Sequence, residues 1–217
     1  MLETYFNYLI EQNKIHNLTA ITDRDEVWVK HFEDSLAAAD LIPRGAKVLD
    51  IGAGAGFPSV PLKIKREDIN VTMLDSVRKK VDFLNNLVEL LGLSDIKAIH
   101  TRIEDFIPSL RGKAEAIPCK DIYNVCVARA VAKLNVLCEY ALPFVKVGGI
   151  FIAYKSVEID KELEEASNAI KILGGELKEI KDYSLKFGER KLIVIKKTKP
   201  TPPEYPRGGN KPRLKPL

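Results

Sequence analysis

The chain has 217 residues, of which 46% are hydrophobic and 29% charged, enough for one globular domain with a sizeable core. No window nears the roughly 18 uninterrupted apolar residues of a membrane span, and the N-terminus lacks a signal peptide's apolar block and cleavage site, so a cytoplasmic protein is expected. The formal net charge of +4 is uneven: Lys196 to Leu217 holds seven basic residues against Glu204 alone, and the remainder is slightly acidic.

In chain order, Leu2, Tyr5, Phe6, Leu9 and Ile10 recur at helical spacing, and a second helix is expected from Asp25 to Pro43, after the loop NLTAIT. Residues 1–42 thus read as an N-terminal helical extension. From Lys47 the pattern changes to short β-rich runs alternating with amphipathic ones: KVLDI then FPSVPLKIKRE, NVTMLD then VRKKVDFLNNLVELLG, DIKAIH then RIEDFIPSL, YNVCVARA then KLNVLCEYALPFV, and GGIFIAYK then IDKELEEASNAIKILG. Such alternation predicts an α/β fold over residues 43–197, a mostly parallel sheet with helices on both faces. ELKEIKDYSL and RKLIVIKK have no helix between them and read as a closing antiparallel hairpin around Gly188. Residues 198–217 form a basic, proline-rich arm, suited either to a polyanion, through counterion release, or to a solvated terminus. Cys119, Cys126 and Cys138 have no ligand spacing, so they read as buried or incidental thiols and no metal site is expected.

The stretch DIGAGAGFPSVPL places Gly52, Gly54 and Gly56 in the bend after the first strand, at the carboxyl edge where open α/β sheets bind ligands. A nicotinamide or flavin dinucleotide fingerprint needs a third glycine where Phe57 stands, so that match is broken. Asp50, at the lip of the turn, opposes a pyrophosphate but can attract an ammonium group such as that of S-adenosylmethionine, directly or through backbone positioning. Asp75 ends the second strand, where a carboxylate accepts ribose hydroxyls from either kind of cofactor.

At these residues the chain resembles the RsmG (GidB) family of bacterial 16S ribosomal RNA guanine-N7 methyltransferases. The likeness is carried by DIGAGAGFPSVPLKI, MLDSVRKKVDFLNNL, RIEDF, VARAVAKL, the front signature NLTAIT with KHFEDSLAA, and the end YPRGGNKPRLKPL. The resemblance implies a class I S-adenosylmethionine-dependent methyltransferase, Rossmann-like, with a seven-stranded sheet whose last strand is antiparallel. It implies that Gly52 and Phe57 line the cofactor pocket, that Ile103 and Glu104 frame the adenine, and that Arg129 sits beside the cofactor; Ser76 joins this set next to Asp75. Ser59, where the family usually has Gly, and the GGN of the tail depart from its pattern.

Guanine N7 carries an in-plane lone pair and no proton, so it attacks a methyl group without a general base. The Asn/Asp-Pro-Pro-aromatic motif of amine methylation does not follow strand four. Catalysis is then mainly positioning, and no acid or base is assigned; Arg129, which suits the methionine carboxylate or an RNA phosphate, is the one catalytic candidate. Phe57 and Tyr154 are candidates to stack a splayed base. Lys155, Arg207, Lys211, Arg213 and Lys215 are the RNA-binding candidates. Alanine at Lys211, Arg213 and Lys215 is expected to weaken RNA binding and leave cofactor affinity intact. His31, Asp34 and Ser35 share one helical face and resemble the family's pattern; Trp28 and His16 read as packing residues and His100 as a strand end. The expected partner is 16S rRNA or the small ribosomal subunit, with no membrane, and the protein is expected to be a monomer. Three alternatives stay open: a class I methyltransferase of small molecules or proteins, an NAD-dependent oxidoreductase, and a noncatalytic RNA-binding protein on a degenerate fold.

Overall fold

The computed structural model describes residues 1–106 and 122–217. Seven strands form one sheet: β1 (Lys47–Ile51), β2 (Asn70–Asp75), β3 (Ile96–His100), β4 (Tyr123–Arg129), β5 (Val145–Lys155), β6 (Gly175–Leu185) and β7 (Gly188–Lys197). Their order is β3-β2-β1-β4-β5-β7-β6. β1 to β5 pair in parallel, and β7 is antiparallel to both of its neighbours. The expected hairpin is present, but β7 lies inside the sheet and β6 forms its edge. Burial explains the insertion: Leu192, Ile193, Val194 and Ile195 are all fully buried, so this strand needs cover on both faces, whereas the charged β6 tolerates solvent.

Side chains alternate between two cores. Val48, Met73, Val127, Ile152 and Val194 face one, shared with the helices Ser59–Lys65 and Arg78–Leu90 and with the N-terminal segment. Leu49, Leu74, Cys126, Phe151 and Ile193 face the other, under the helices Leu134–Ala141 and Asp160–Ile172. Each amphipathic run forms its helix because its apolar stripe has such a face to cover: Val81, Phe83, Leu84 and Leu87 in Arg78–Leu90, and Ala166, Ala169 and Ile170 in Asp160–Ile172. The expected helix in RIEDFIPSL is present at residues 103–106; the rest of that run, and Cys119, lie outside the described residues. Cys126 and Cys138 are buried, and burial pushes both thiols up.

The N-terminal segment is a layer on the first core. Its opening helix, Leu2–His16, ends where Asn17 turns left-handed (φ 49°). Asn13 then ties down the following loop, its side chain accepting from the Leu18 and Thr19 amides at 2.6 and 2.9 Å. The second helix differs from expectation. It begins as an α-helix at Arg24–Val27, capped by Asp23, widens to a π-helix at Trp28–Glu33, returns to α at Asp34–Leu36 and ends in a 3₁₀ turn at Ala39–Leu41. A widened turn re-aims the residues that follow it, here His31 and Asp34.

Candidate active site

The strand order reverses between β1 and β4, and the crevice this creates at the carboxyl edge is where the glycine turn lies. The Gly52 and Ala53 amides both donate to the Leu74 carbonyl, at 2.8 and 3.0 Å, hooking the turn onto the end of β2. Gly52 has φ +73°, and a Cβ there would stand 2.7 Å from Val131 Cγ2; Gly56, with φ +99°, would meet the Tyr5 hydroxyl at 2.6 Å. Both positions therefore need glycine for backbone and for space. Asp75 closes the other side. Its Oδ2 accepts from the Gly54 amide and its Oδ1 from the Val77 amide, each at 2.9 Å, which fixes the carboxylate while leaving each oxygen further acceptor capacity.

The cleft above has a volume of about 400 Å3. Ile51, Leu74, Ile103 and Val131 give it apolar walls, and Asp75 and Glu104 give it carboxylates. The Tyr140 hydroxyl donates to Glu104 Oε1 at 2.7 Å, and burial together with that carboxylate pushes the phenol up to about 12. Apolar walls suit the flat faces of a nucleoside base, and an anchored carboxylate suits its ribose hydroxyls, so these residues fit the adenosine portion of S-adenosylmethionine. Of the expected cofactor residues, Gly52, Asp75, Ser76, Ile103 and Glu104 line this cleft. Thr101, Arg102, Val131, Tyr140 and Asn210 line it without having been anticipated. Only Thr101 and Arg102 had a signal, their place directly before Ile103.

Asp50, Gly54, Gly56, Phe57 and Arg129 are not among the lining residues. Gly54 and Gly56 serve the turn itself. Asp50 stands in β1, paired with Met73 and Val127, on the face covered by the N-terminal layer. It is fully buried and neither carboxylate oxygen has a hydrogen-bond partner; burial pushes its pKa up to about 7, against the lowering influence of Ser59 and Arg129. The lip position expected for this acid is corrected by period-two alternation, which turns its side chain into the core. Phe57 is likewise buried, its ring stacked on His31 and Tyr5 with centroids 4.6 and 5.3 Å apart.

Arg129 turns toward the N-terminal layer. Its Nη1 donates to Asp34 Oδ2 at 2.7 Å and to the Lys30 carbonyl at 3.2 Å, and its guanidinium lies 5.1 Å from the Phe57 ring centre. Its Nη2 stands 3.3 Å from His31 Nδ1, and Thr19 Oγ1 stands 2.9 Å from Nε2. His31 Nδ1 thus stands between two competing partners, the Arg129 guanidinium, which only donates, and the Lys30 carbonyl at 3.1 Å, which only accepts. Burial, reinforced by Arg129, lowers His31 to about 4. Asp34 also accepts from the Tyr183 hydroxyl at 2.6 Å. Ser35, the third member of that helical face, is buried and donates to the His31 carbonyl at 2.5 Å.

Lys30, His31, Asp34, Arg129 and Tyr183 of this group line a second cavity of about 430 Å3, together with Tyr154, Lys155 and Arg190. Ala130 lines the second cavity and Val131 the first, so one peptide step after β4 separates them. Ala130 holds φ +56°, a conformation L residues seldom adopt and one that gathers at functional sites. Tyr154 is buried, with its hydroxyl donating to the Ser35 carbonyl at 2.7 Å, so it forms a wall and not a stacking platform.

The RNA-binding candidates divide. Lys155 donates to Glu162 at 2.5 Å and to the Ala132 carbonyl at 3.0 Å, so its ammonium is engaged within the protein. Arg207 forks onto the buried Glu139, with Nη2 at 2.6 Å from Oε2 and Nε at 2.9 Å from Oε1. Arg213 lines the first cleft. Lys211 and Lys215 are exposed. Trp28 packs edge-on against Phe6 and Phe32, as expected of a packing residue. His100 ends β3 with Nε2 3.1 Å from the Ser76 carbonyl. Among the described residues no helix is long and apolar enough to cross a membrane, and no cluster of His, Cys, Asp or Glu is suited to a metal ion.

Comparison with known proteins agrees with this architecture. Residues 1–193 match the family model GidB, described as rRNA small subunit methyltransferase G. The chain is 50% identical to the ribosomal RNA small subunit methyltransferase G of Desulforamulus reducens, over 99% of this chain and 88% of that one. It is 44% identical to the protein of the same name from Bacillus thuringiensis, over 99% and 89%. Among solved structures, an O-methyltransferase from Bacillus cereus in complex with SAH superposes with a TM-score of 0.62 at 17% identity, over 89% of this chain and 90% of that one. M. jannaschii TYW2 in complex with AdoMet gives 0.59 at 17% identity, over 76% and 74%. At those identities the likeness is one of fold, and the fold is that of class I methyltransferases.

Proposed function

The chain belongs to the GidB family, rRNA small subunit methyltransferase G, and from that premise we propose that it transfers the methyl group of S-adenosylmethionine to N7 of a guanine in 16S rRNA. The observation that carries the reading is the anchored Asp75 at the end of β2, facing apolar walls in a cleft fitted to adenosine. When bound, the cofactor supplies an electrophilic methyl group on a sulfonium. The chain's own residues then have three tasks. Asp75 accepts from the ribose, Ile103 and Glu104 border the base, and the turn from Gly52 keeps side chains away from the reacting end. No group is needed to take a proton from N7, in keeping with the engagement of His31, the imidazole of the second cavity, by Arg129 and Thr19.

The second cavity is the entrance we assign to the acceptor nucleotide. It lies across the Ala130–Val131 step from the cofactor cleft and carries Lys30, Arg129 and Arg190 for a phosphate. Holding two reactants in line contributes about 7–11 kcal/mol to such a reaction, which makes positioning a sufficient mechanism. The protein acts in this reading as a cytoplasmic monomer on the small ribosomal subunit or its RNA.

The test is methyl transfer from radiolabelled S-adenosylmethionine to 16S rRNA and to small subunits from a strain lacking the modification, with borohydride and aniline cleavage to map 7-methylguanosine. One labelled guanine, lost in Asp75→Ala and Gly52→Ala, is the expected result. Cofactor binding without labelled RNA would move the acceptor to proteins or small molecules.

A further inference from the structure

We propose that the C-terminal arm is part of the cofactor site, with Asn210 and Arg213 closing the adenosine end of the cleft and Arg213 binding the cofactor there. The inference rests on the cleft being the S-adenosylmethionine site, as proposed above.

Three observations lead to it. Asn210 and Arg213 border the same space as Asp75, Ile103 and Glu104, so a ligand filling that space meets the arm as well as the sheet. Arg213 also stands beside Tyr140, where its charge opposes the upward push that burial and Glu104 give the phenol. That puts it at the Glu104 side of the cleft, which follows β3 and borders the base.

The arm is also docked and not a frayed end. Arg207 makes four hydrogen bonds to Glu139, a carboxylate only 1% exposed, one through its backbone amide at 2.8 Å and three through its guanidinium. Beyond it, Pro212 is buried, and Tyr205 and Leu217 pack against the second core. The anchors lie on both sides of Arg213 in sequence, so the short helix Lys211–Leu214 is held in place over the cleft.

Finally, the chemistry suits the place. A guanidinium stacks on a flat heteroaromatic ring and donates in its own plane to ring nitrogens, while its charge sits well beside the carboxylates of Asp75 and Glu104. Arg213 is exposed here, so a ligand entering the cleft can cover it. The arm residues left for RNA are Lys211 and Lys215, and the expectation that alanine at Arg213 spares cofactor affinity is reversed.

Calorimetry on the full chain separates the possibilities, with two ligands: S-adenosylhomocysteine, and 5′-methylthioadenosine, which has no amino-acid end. Arg213→Ala should weaken both ligands by the same factor, about tenfold for a desolvated cation over a ring. Arg213→Lys should recover only part of that loss, and Lys211→Ala with Lys215→Ala should leave both affinities unchanged. Melting temperatures of the variants should match the parent, which excludes misfolding as the cause. Unchanged affinity in Arg213→Ala would overturn the inference while leaving the cofactor reading intact. A loss confined to S-adenosylhomocysteine would overturn it too, by assigning Arg213 to the carboxylate end. Failure of the parent chain to bind either ligand would instead refute the cofactor reading, and the inference with it.

Discussion

Two segments are added to the sheet from outside, one at each end of the chain, and they are held by opposite means. Residues 1–42 bring Tyr5, Leu9, Val27 and Phe32 into the first core, all at most 1% exposed, and belong to the fold as much as any strand. Residues 198–217 contribute few large apolar side chains and are fixed mainly by polar contacts, Thr201 on the Leu173 carbonyl and Arg207 on Glu139, with Tyr205, Pro212 and Leu217 packed around them. Apolar burial makes a segment inseparable from global stability, whereas a few polar anchors leave it able to open by itself.

The largest effect should therefore come from the first segment. Leu9→Ala, at a fully buried site, should cost about 3 kcal/mol of global stability, read as a lower urea midpoint with an unchanged slope. If only the N-terminal helix frayed, the two segments would be alike after all. Arg207→Ala strands a buried carboxylate, a change that costs about 3–5 kcal/mol where the structure cannot yield. Here the arm can release and admit water to Glu139, so the expected global loss is smaller, about 1–2 kcal/mol. Hydrogen exchange should then accelerate at Arg213, Leu214 and Lys215 and stay unchanged in β1 and β4.

The smallest effect sharpens the account of the N-terminal layer, through two titrating groups, His31 within it and Asp50 buried beneath it. His31 is lowered to about 4 from an ordinary value near 6.5, so the unfolded chain takes a proton that the folded one refuses. Stability is lost on that account as pH falls through this window. Asp50 is raised to about 7 from an ordinary value near 3.8, so the folded chain keeps a proton that the unfolded one releases. Its contribution is lost as pH rises through nearly the same window. The two slopes oppose each other, and the parent protein should show little change in stability between those limits. Asp50→Asn should expose the decline toward acid, and His31→Gln the decline toward neutrality, each about 1 kcal/mol per pH unit when read from melting temperatures in matched buffers.

Much of this was legible in the sequence, and the reasons are local. Short β-rich runs marked the strands because β1, β2, β4 and β5 bury both faces, and helical spacing marked most helices because each buries one. Asp75 was recognisable because it ends a strand beside a glycine turn. Asp50 was misplaced because its neighbourhood was read from chain position, while strand alternation sent its side chain to the other side. The partners of Arg129 and Arg207 were out of reach for a different reason. Asp34 and Glu139 lie 95 and 68 residues away in the chain, and no spacing rule spans such distances. The π-helical turn is invisible for a third: Trp28 to Glu33 has ordinary helical composition, and His31 and Phe32 within it pack on Phe57, a residue distant in the chain.

The place of β7 inside the sheet has a consequence for the company this molecule keeps. By taking the interior position, β7 leaves β6 as the outer border, where unpaired backbone groups would otherwise invite the strand of a neighbour. That border carries Glu176, Lys178, Glu179 and Asp182 as exposed side chains, and its pairing slips between Leu177 and Glu179. Charge and an interrupted register are what keep sheet margins from growing by addition, so the apolar run LIVI of β7 is kept behind a strand unsuited to propagate it.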